Sequence, residues 1–283
     1  MLDKIIDGKS ISQFIKSEIK QRVGDIVNTG GAVKLAVVVV EGDISSKIYA
    51  NSNKKACDKI GIETEIIELL NNTEQVELLS LIDDLNERKD INGIIVQMPL
   101  PNHIDEDEVF KRIKSEKDVE GVNPYNIGML SIGKATFAPC TAQGVIELIK
   151  RSNIEIEGKN CVVIGRSNIV GKPISMLLLN ESGTVTTCHS KTLNLREVCR
   201  SADILVASVG KAKFVTSDMV KDGAIIVDVG IHRLEDNSLC GDVDFDSCIE
   251  KASLITPVPG GVGAMTVAML MRNSVKAYEQ QKF

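Results

Sequence analysis

The sequence contains no tryptophan, and its other aromatic residues are limited to three tyrosines and six phenylalanines. It also has no run of about 18 apolar residues, which a membrane-spanning helix would require. No basic block exceeds three residues and none of the seven cysteines forms a Cys-x-x-Cys pair, which argues against a nucleic-acid surface and a zinc ribbon. The opening residues 1–8 lack the apolar core of a signal peptide. We therefore expect a cytoplasmic protein with reduced cysteines and no membrane or nucleic-acid partner.

The N-terminal half instead shows a repeated pattern, in which a β-branched apolar run precedes a helical pattern. The runs lie at 35–40, 63–69 and 93–97, and the helical patterns that follow them lie at 46–60, 74–88 and 105–115. Continuous apolar runs of this length are typical of strands buried on both faces of a parallel sheet. Three such units in succession predict an open α/β sheet.

A second α/β series begins after residues 117–139, where Gly, Pro and Asn accumulate and the periodicity stops. Its first helix is predicted at 140–151, and its strands at 161–164, 184–188, 204–208 and 224–229. At 283 residues the chain is long enough for two domains. We predict an N-terminal α/β domain of residues 1–138, to which a final helix within 265–283 returns, and a Rossmann-like domain of residues 139–264.

Residues 161–171 form a predicted strand, a tight turn and a helix start, which is where a Rossmann unit places a pyrophosphate. The pattern is Gly165-Arg166-Ser167 followed by Gly171, so a serine stands at the middle glycine position of the usual fingerprint. About 20 residues further on, where an NAD enzyme carries an acid, this chain has Ser190 and Lys191.

An acid would repel a 2′-phosphate, whereas Arg166, Ser190 and Lys191 would attract one, so the pattern favours NADP over NAD. The alternative is that these three are solvated loop residues. Gly210 and Ile231 follow later strands at the sheet edge where ligands gather. The segment 256–263 has three glycines within four residues, which predicts close approach of the backbone to a ligand.

The first domain carries its own polar residues at predicted strand and helix ends. Tyr49 and Asn53 lie one turn apart on the same helix face, Gln97 ends a strand, and Glu120 lies in the irregular segment. These groups suit a flat, hydrogen-bonding heterocycle, although Tyr49 could instead pack on the sheet and Gln97 could cap backbone groups. The three histidines are dispersed, so we predict no metal site.

Over essentially its whole length, the chain resembles the bifunctional methylenetetrahydrofolate dehydrogenase/methenyltetrahydrofolate cyclohydrolase family. Seven ordered segments carry the resemblance: V-E-G-D-x-x-S-x-x-Y (40–49), G-I-I-V-Q-M-P-L-P (93–101), K-D-V-E-G (117–121), P-C-T (139–141), G-R-S-x-x-V-G-K-P (165–173), T-T-C-H-S-K-T (186–192) and P-V-P-G-G-V-G (257–263).

The resemblance implies a homodimer that oxidises 5,10-methylenetetrahydrofolate with NADP and hydrolyses the methenyl product to 10-formyltetrahydrofolate. It implies that folate lies between the domains, with Tyr49 stacked on the aminobenzoyl ring, Gln97 beside the catalytic lysine, and the acid at position 120 on the pterin. Arg166 and Ser190 would take the 2′-phosphate. We assign cofactor binding to Gly165, Arg166, Ser167, Ser190, Gly210 and Ile231, substrate binding to Tyr49, Gln97, Glu120, Pro259 and Gly260, and catalysis to Tyr49, Asn53, Gln97 and Glu120.

Two of these positions depart from the family pattern. The family has a lysine four residues after the tyrosine; here that position is Asn53, whose amide neither gains nor loses a proton near neutral pH. Lys54 is the next residue, but it is rotated by about 100° around the helix. Glu120 replaces an aspartate and moves the carboxylate outward by roughly 1 Å, a displacement that can cost about a hundredfold in rate.

We therefore expect the cyclohydrolase step to be weakened more than the dehydrogenase step. Two alternatives stay open: a noncatalytic protein that binds NADP or folate, and an enzyme that acts on a modified folate.

Overall fold

The computed structural model describes residues 2–42 and 44–282; Met1, Asp43 and Phe283, which the predicted domains and motifs include, lie outside the described residues. The chain forms two compact units. The first unit comprises Phe14–Ala138 and the chain from Leu270 onward, and the second comprises the residues up to Gln13 together with Pro139–Met269.

The N-terminal segment belongs to the second unit, which differs from the predicted grouping of residues 1–138. Ile5 forms a parallel bridge with Ile255, and the backbone N–H of Ile6 donates to the Ile255 carbonyl at 2.9 Å. The Lys4 ammonium donates to the Ile249 carbonyl at 3.1 Å. These partners are about 250 residues away in sequence, so no local pattern could have shown the attachment.

The first unit is built on a three-stranded parallel sheet, in which β1 (Lys34–Val40) lies between β2 (Glu63–Leu69) and β3 (Gly93–Val96). The central strand β1 is buried from Leu35 to Val40, as its unbroken apolar sequence requires, whereas the edge strand β2 is partly exposed. The elements of this part of the chain are α1 (Gly8–Asn28), β1 (Lys34–Val40), α2 (Ile44–Asp58), β2 (Glu63–Leu69), α3 (Gln75–Glu87), β3 (Gly93–Val96), α4 (Glu106–Arg112) and α5 (Pro124–Ser131). Helix α1 begins in the second unit and continues in the first.

The second unit contains a five-stranded parallel sheet in the order β10-β7-β6-β4-β5 and a two-stranded antiparallel hairpin of β8 and β9. Its elements are α6 (Cys140–Arg151), β4 (Asn160–Ile164), α7 (Gly171–Asn180), β5 (Thr184–Cys188), α8 (Leu195–Arg200), β6 (Ile204–Ala207), β7 (Ile225–Asp228), β8 (His232–Arg233), β9 (Leu239–Cys240), α9 (Phe245–Cys248) and β10 (Leu254–Ile255). Strand β4 lies between β5 and β6, so the strand order reverses there. In sheets of this kind, ligands bind outside the carboxyl ends of the strands at that switch point.

The final helix, α10 (Thr266–Gln281), returns to the first unit, as predicted. The Asn273 amide donates to the Val119 carbonyl at 2.8 Å, and the Gln281 amide donates to the Asn92 carbonyl at 2.8 Å. Parallel sheets, two α/β units and a returning C-terminal helix confirm the predicted fold class.

All seven cysteines are free, and six of them are buried. Burial raises the pKa of the Cys57 and Cys161 thiols to about 11 and that of Cys199 to about 12. Cys240, on the hairpin strand β9, is partly exposed. Over residues 2–42 and 44–282, no helix combines the length and the apolar character needed to cross a bilayer.

Candidate functional site

The turn between β4 and α7 is shaped by two glycines. Gly165 has a φ of +129°, and a Cβ atom there would lie 2.2 Å from the Ser208 carbonyl oxygen. A Cβ on Gly171 would lie 2.2 Å from the Gly165 carbonyl oxygen. Since side chains fit at neither position, the chain turns tightly from the strand into the helix. The Gly171 N–H donates to Ser167 Oγ at 3.3 Å and the Lys172 N–H donates to the Ser167 carbonyl at 3.1 Å, so Ser167 caps the start of α7.

A cavity of about 490 Å³ opens beside this turn, at the carboxyl ends of β4, β5 and β6. Gly165, Arg166, Ser167 and Ser190, all of which the sequence predicts for cofactor binding, line it together. Lys211 adds a second cation to the lining.

The lining suits a phosphorylated nucleotide. None of the described lining residues is an aspartate or glutamate, and Arg166 makes no ion pair with another described residue. The volume lies within the range of small-molecule sites, about 300–1,000 Å³. A tight glycine turn at a helix start, hydroxyl donors and unpaired cations form the donor set that phosphate groups require.

Two of the residues predicted for cofactor binding lie outside this lining. Gly210, with a φ of +70°, sits between the lining residues Val209 and Lys211. Ile231 lines a separate cavity of about 260 Å³, together with Pro259 and Gly260 from the glycine-rich loop. Lys9, in the first turn of α1, also lines this cavity. This residue was not predicted from the sequence; the one local sign of it was a cation in the segment Ile6-Asp7-Gly8-Lys9.

In the first unit, helix α2 presents Ser46, Tyr49 and Asn53 at spacings of three and four residues, which places them on one face. The Tyr49 side chain is 43% exposed and Asn53 is buried. The Asn53 amide has no hydrogen-bond partner among the described residues. Lys54 is directed elsewhere, since its ammonium donates to the Thr64 carbonyl on β2 at 2.9 Å.

Gln97 is held close to the start of α2 by a shared acceptor. The Ser46 hydroxyl donates to the Met98 carbonyl at 3.1 Å, and the Gln97 amide donates to the same oxygen at 3.2 Å. The Gln97 backbone N–H donates to the Val38 carbonyl at 2.8 Å, which fixes the residue directly after β3. The structure therefore brings the polar face of α2 and Gln97 together at the carboxyl end of the first sheet.

Glu120 lies in a loop that is organised by the buried carboxylate of Asp118. That carboxylate accepts hydrogen bonds from the backbone N–H groups of Gly121, Val122 and Asn123 at 2.8–3.1 Å, and from the Asn126 amide at 2.7 Å. Burial, with a smaller contribution from the negative charge of Asp118, raises the pKa of Glu120 to about 8. No described cation pairs with Glu120 to offset this rise in its pKa.

Family models match both parts of the chain. The tetrahydrofolate dehydrogenase/cyclohydrolase catalytic domain matches residues 6–120, and the NAD(P)-binding domain of the same family matches residues 139–282. The chain belongs to the tetrahydrofolate dehydrogenase/cyclohydrolase family.

Individual members of this family match along their whole length. The bifunctional protein FolD of Lachnoclostridium phytofermentans is 55% identical over 279 residues, which are 99% of this chain and 98% of the relative. The crystal structure of the bifunctional enzyme FolD, a methylenetetrahydrofolate dehydrogenase/cyclohydrolase from Campylobacter jejuni, matches with a TM-score of 0.96 and 45% identity over 98% of both chains. The FolD of Trypanosoma brucei, crystallised with NADP cofactor and an inhibitor, matches with a TM-score of 0.92 and 36% identity over 98% of this chain and 97% of that one.

Proposed function

We propose that this member of the tetrahydrofolate dehydrogenase/cyclohydrolase family oxidises 5,10-methylenetetrahydrofolate to 5,10-methenyltetrahydrofolate with NADP. The observation that carries the proposal is the cavity at the β4–α7 turn, whose cationic, acid-free lining lies within the family's NAD(P)-binding domain. A second activity, hydrolysis of the methenyl product to 10-formyltetrahydrofolate, is retained only weakly because Asn53 replaces a lysine.

The cofactor is held by the residues of that cavity. The turn that follows Gly165 receives the pyrophosphate, while Arg166 and Ser190 bind the 2′-phosphate. Ser167 and the neighbouring Gly210 are assigned to the same cavity, and Ile231 is assigned to the cofactor from the separate cavity beside the glycine-rich loop. When bound, NADP supplies the acceptor for the hydride that leaves the methylene carbon.

The first unit carries the side chains that we propose to bind the substrate. Tyr49 offers an exposed ring on which the aminobenzoyl group stacks. The Gln97 amide and the Glu120 carboxyl group hydrogen-bond the pterin. A carboxyl group that keeps its proton at neutral pH donates one hydrogen bond, whereas the family aspartate, if ionised, only accepts.

The hydrolytic step needs a group that moves a proton while water adds to the methenyl carbon. The Asn53 amide holds no proton that it can transfer near neutral pH, and Lys54 is engaged with the Thr64 carbonyl. Loss of general acid–base help lowers turnover by about 10² to 10⁴-fold. Hydride transfer depends mainly on how substrate and cofactor are held, so it is affected less.

A second candidate is favoured by the same two residues. Asn53 and Glu120 each lack a hydrogen-bond or ion-pair partner among the described residues and together alter the charge of the site. A protein that binds NADP and folate without turnover, or an enzyme tuned to a modified folate, would tolerate both changes.

We further propose that the protein works in the cytoplasm as a homodimer. Gel filtration with light scattering would test the oligomeric state.

The deciding experiment follows reduced cofactor and methenyltetrahydrofolate in one cuvette, starting from methylenetetrahydrofolate and NADP. We expect both signals to rise in the wild-type protein and the methenyl signal to persist. Asn53→Lys should clear methenyltetrahydrofolate about 10² to 10⁴ times faster, because it restores a proton-transferring group. Asn51→Lys is the matched control, since it adds the same charge at an exposed position of α2.

If the wild-type protein clears methenyltetrahydrofolate as fast as Asn53→Lys, Asn53 does not limit hydrolysis. If the wild-type protein produces neither signal, the dehydrogenase proposal fails, and a binding measurement with tetrahydrofolate then separates the binder from the enzyme on a modified substrate.

A further inference from the structure

Asp242 is a fully buried carboxylate that binds three consecutive backbone N–H groups. Its Oδ2 atom accepts from the N–H groups of Val209 and Gly210 at 2.5 and 3.1 Å, and its Oδ1 atom accepts from Lys211 at 2.9 Å. The Nε2 atom of His232 lies 2.7 Å from the same Oδ1 atom. Both oxygens of Asp242 are thus used, and we call residues 209–211 the clasped loop.

The position of Asp242 is fixed by a second buried carboxylate. Asp228, at the end of β7, accepts from the N–H groups of Asp242 and Val243 at 2.9 and 2.8 Å. Gly241 makes room for this contact, because a Cβ there would lie 1.9 Å from Asp228 Oδ2. A Cβ on Gly230 would likewise lie 2.5 Å from the carboxyl carbon of Asp242. The two glycines therefore allow Asp228 and Asp242 to pack against the backbone more closely than any side chain would permit.

The clasped loop forms one wall of the nucleotide cavity. It follows β6, which pairs with β4, and Val209 and Lys211 both line the cavity. Gly210 turns the loop with a φ of +70°. The three N–H groups are bound to an internal anion and are not free for a ligand. Their role is therefore to fix the path of the backbone from which the Lys211 side chain leaves.

We propose that Asp242, supported by His232, is a positioning residue that holds the clasped loop in the conformation that binds the cofactor. The inference rests on the proposed NADP site, and it adds to that site a residue that lies behind the cavity wall. Asp242 does not line the nucleotide cavity itself; it acts through Val209, Gly210 and Lys211.

The test is Asp242→Asn in the full chain, with NADP affinity measured by isothermal titration calorimetry. An amide has one accepting oxygen, so either orientation sets its NH₂ group against at least one backbone N–H of the clasped loop. We expect the Kd for NADP to rise about tenfold, since a donor facing a buried donor displaces the loop. In the dehydrogenase assay, the KM for NADP should rise while kcat stays within about twofold.

Asp203→Asn is the matched control. Asp203 also accepts a backbone hydrogen bond, from the Asn160 N–H at 2.9 Å, but it lies before β6, at the opposite end of that strand. A general loss of stability would affect both variants, whereas only Asp242→Asn should weaken NADP binding. An equal Kd in the two variants would overturn the inference.

His232 provides a second pair of variants that keeps the carboxylate, and it decides the question if Asp242→Asn does not fold. His232→Leu removes the partner of Asp242 Oδ1 and should raise the Kd by about threefold, whereas His232→Gln keeps an N–H donor and should restore most of the affinity. Equal affinities in this pair would contradict the role of His232 and, where Asp242→Asn does not fold, would overturn the inference. If the wild-type protein itself does not bind NADP, the proposed function fails, and that result is distinct from a failure of the clasp.

Discussion

At Asn53 and Glu120, the first unit differs in charge from the family motifs that it otherwise matches. The Asn53 amide is buried, and the Glu120 carboxyl group has no described cation beside it, while Asp118 contributes a nearby negative charge. Asn53 has no charge, and burial raises the pKa of Glu120 to about 8, whereas the resemblance implies a lysine and an aspartate at these two positions.

The raised pKa of Glu120 predicts a measurable dependence of stability on pH. The carboxyl group is protonated in both states below its ordinary pKa of 4.5, but between pH 4.5 and 8 only the folded protein keeps the proton. The free energy of unfolding should therefore fall as pH rises through this window, by up to about 1.4 kcal/mol per pH unit. Glu120→Gln has no titrating group at this position, so its free energy of unfolding lacks this dependence on pH.

Urea unfolding of the wild-type protein and Glu120→Gln at pH 5, 6, 7 and 8 measures the difference. We expect the stability of the wild-type protein relative to the variant to decline across the series. Glu116→Gln, which changes an exposed glutamate of the same segment, is the control and should follow the wild-type curve. A difference between wild type and Glu120→Gln that is independent of pH would contradict the prediction.

At the scale of elements, the β4–α7 turn carries the strictest steric requirement of the nucleotide site. Gly165 and Gly171 face each other across the turn so closely that a Cβ at position 171 would lie 2.2 Å from the Gly165 carbonyl oxygen. The obstructing atom belongs to the backbone, which yields less readily than a flexible side chain. The turn and the start of α7 must therefore move together if a methyl group is inserted.

Gly171→Ala should destabilise the protein by about 1–3 kcal/mol and raise the Kd for NADP by at least about tenfold. Gly128→Ala is the matched control, because Gly128 lies inside α5 and a Cβ there would have no atom within 4 Å. It should stabilise the helix by up to about 1 kcal/mol and leave NADP binding unchanged. Calorimetry for both variants checks the pair, and normal NADP affinity in Gly171→Ala would disprove the steric argument.

Elements with strong local patterns could be predicted from the sequence, and those fixed by distant contacts could not. The β-branched runs predicted the strands of both parallel sheets except the two-residue edge strand β10, and the predicted helix at 140–151 is α6. Helix α5 was not predicted, because it lies within a segment rich in Gly, Pro and Asn. Asn123 caps this helix by accepting from the Tyr125 N–H at 2.7 Å, and Pro124 occupies its first position. That cap was the available signal.

The residues of the candidate site likewise fall into those that a local pattern predicts and those that only distant contacts place. Gly165, Arg166 and Ser190 could be brought together from one βα junction and the following strand, because the order of such units fixes their neighbourhood. Asp242 supports the same cavity from more than 30 residues away in sequence, and Asn273 supports the Glu120 loop from α10. Their roles depend on tertiary contacts that no short pattern contains.

At the scale of the whole molecule, a cationic cavity exists within an acidic protein. The formal net charge is −6, but the nucleotide cavity is lined by Arg166 and Lys211 and by no described acid. Electrostatic attraction for a phosphate must therefore come from local groups and not from the overall charge. Such local attraction weakens as salt rises.

Arg166→Ala should lower the affinity for NADP by about tenfold to a hundredfold, because it removes the charge-assisted contact that we propose with the 2′-phosphate. The affinity for NAD should change little, and the salt dependence of NADP binding should become shallower. Lys159→Ala removes a cation just before β4, at the opposite end of that strand from Gly165, and serves as the control. Equal losses for NADP and NAD would show that Arg166 does not contact the 2′-phosphate.

Because the seven thiols differ in exposure, a thiol reagent should label the native protein at a single position. Six cysteines are buried, and desolvation holds the pKa of several of them far above neutral, so the thiolate that attacks a maleimide or an aromatic disulfide is scarce there. Cys240 alone among the seven is partly exposed, on the hairpin two residues before Asp242. Ellman's reagent should titrate about one thiol in the folded chain and all seven after denaturation, and a fluorophore attached at Cys240 would report on the hairpin as NADP binds.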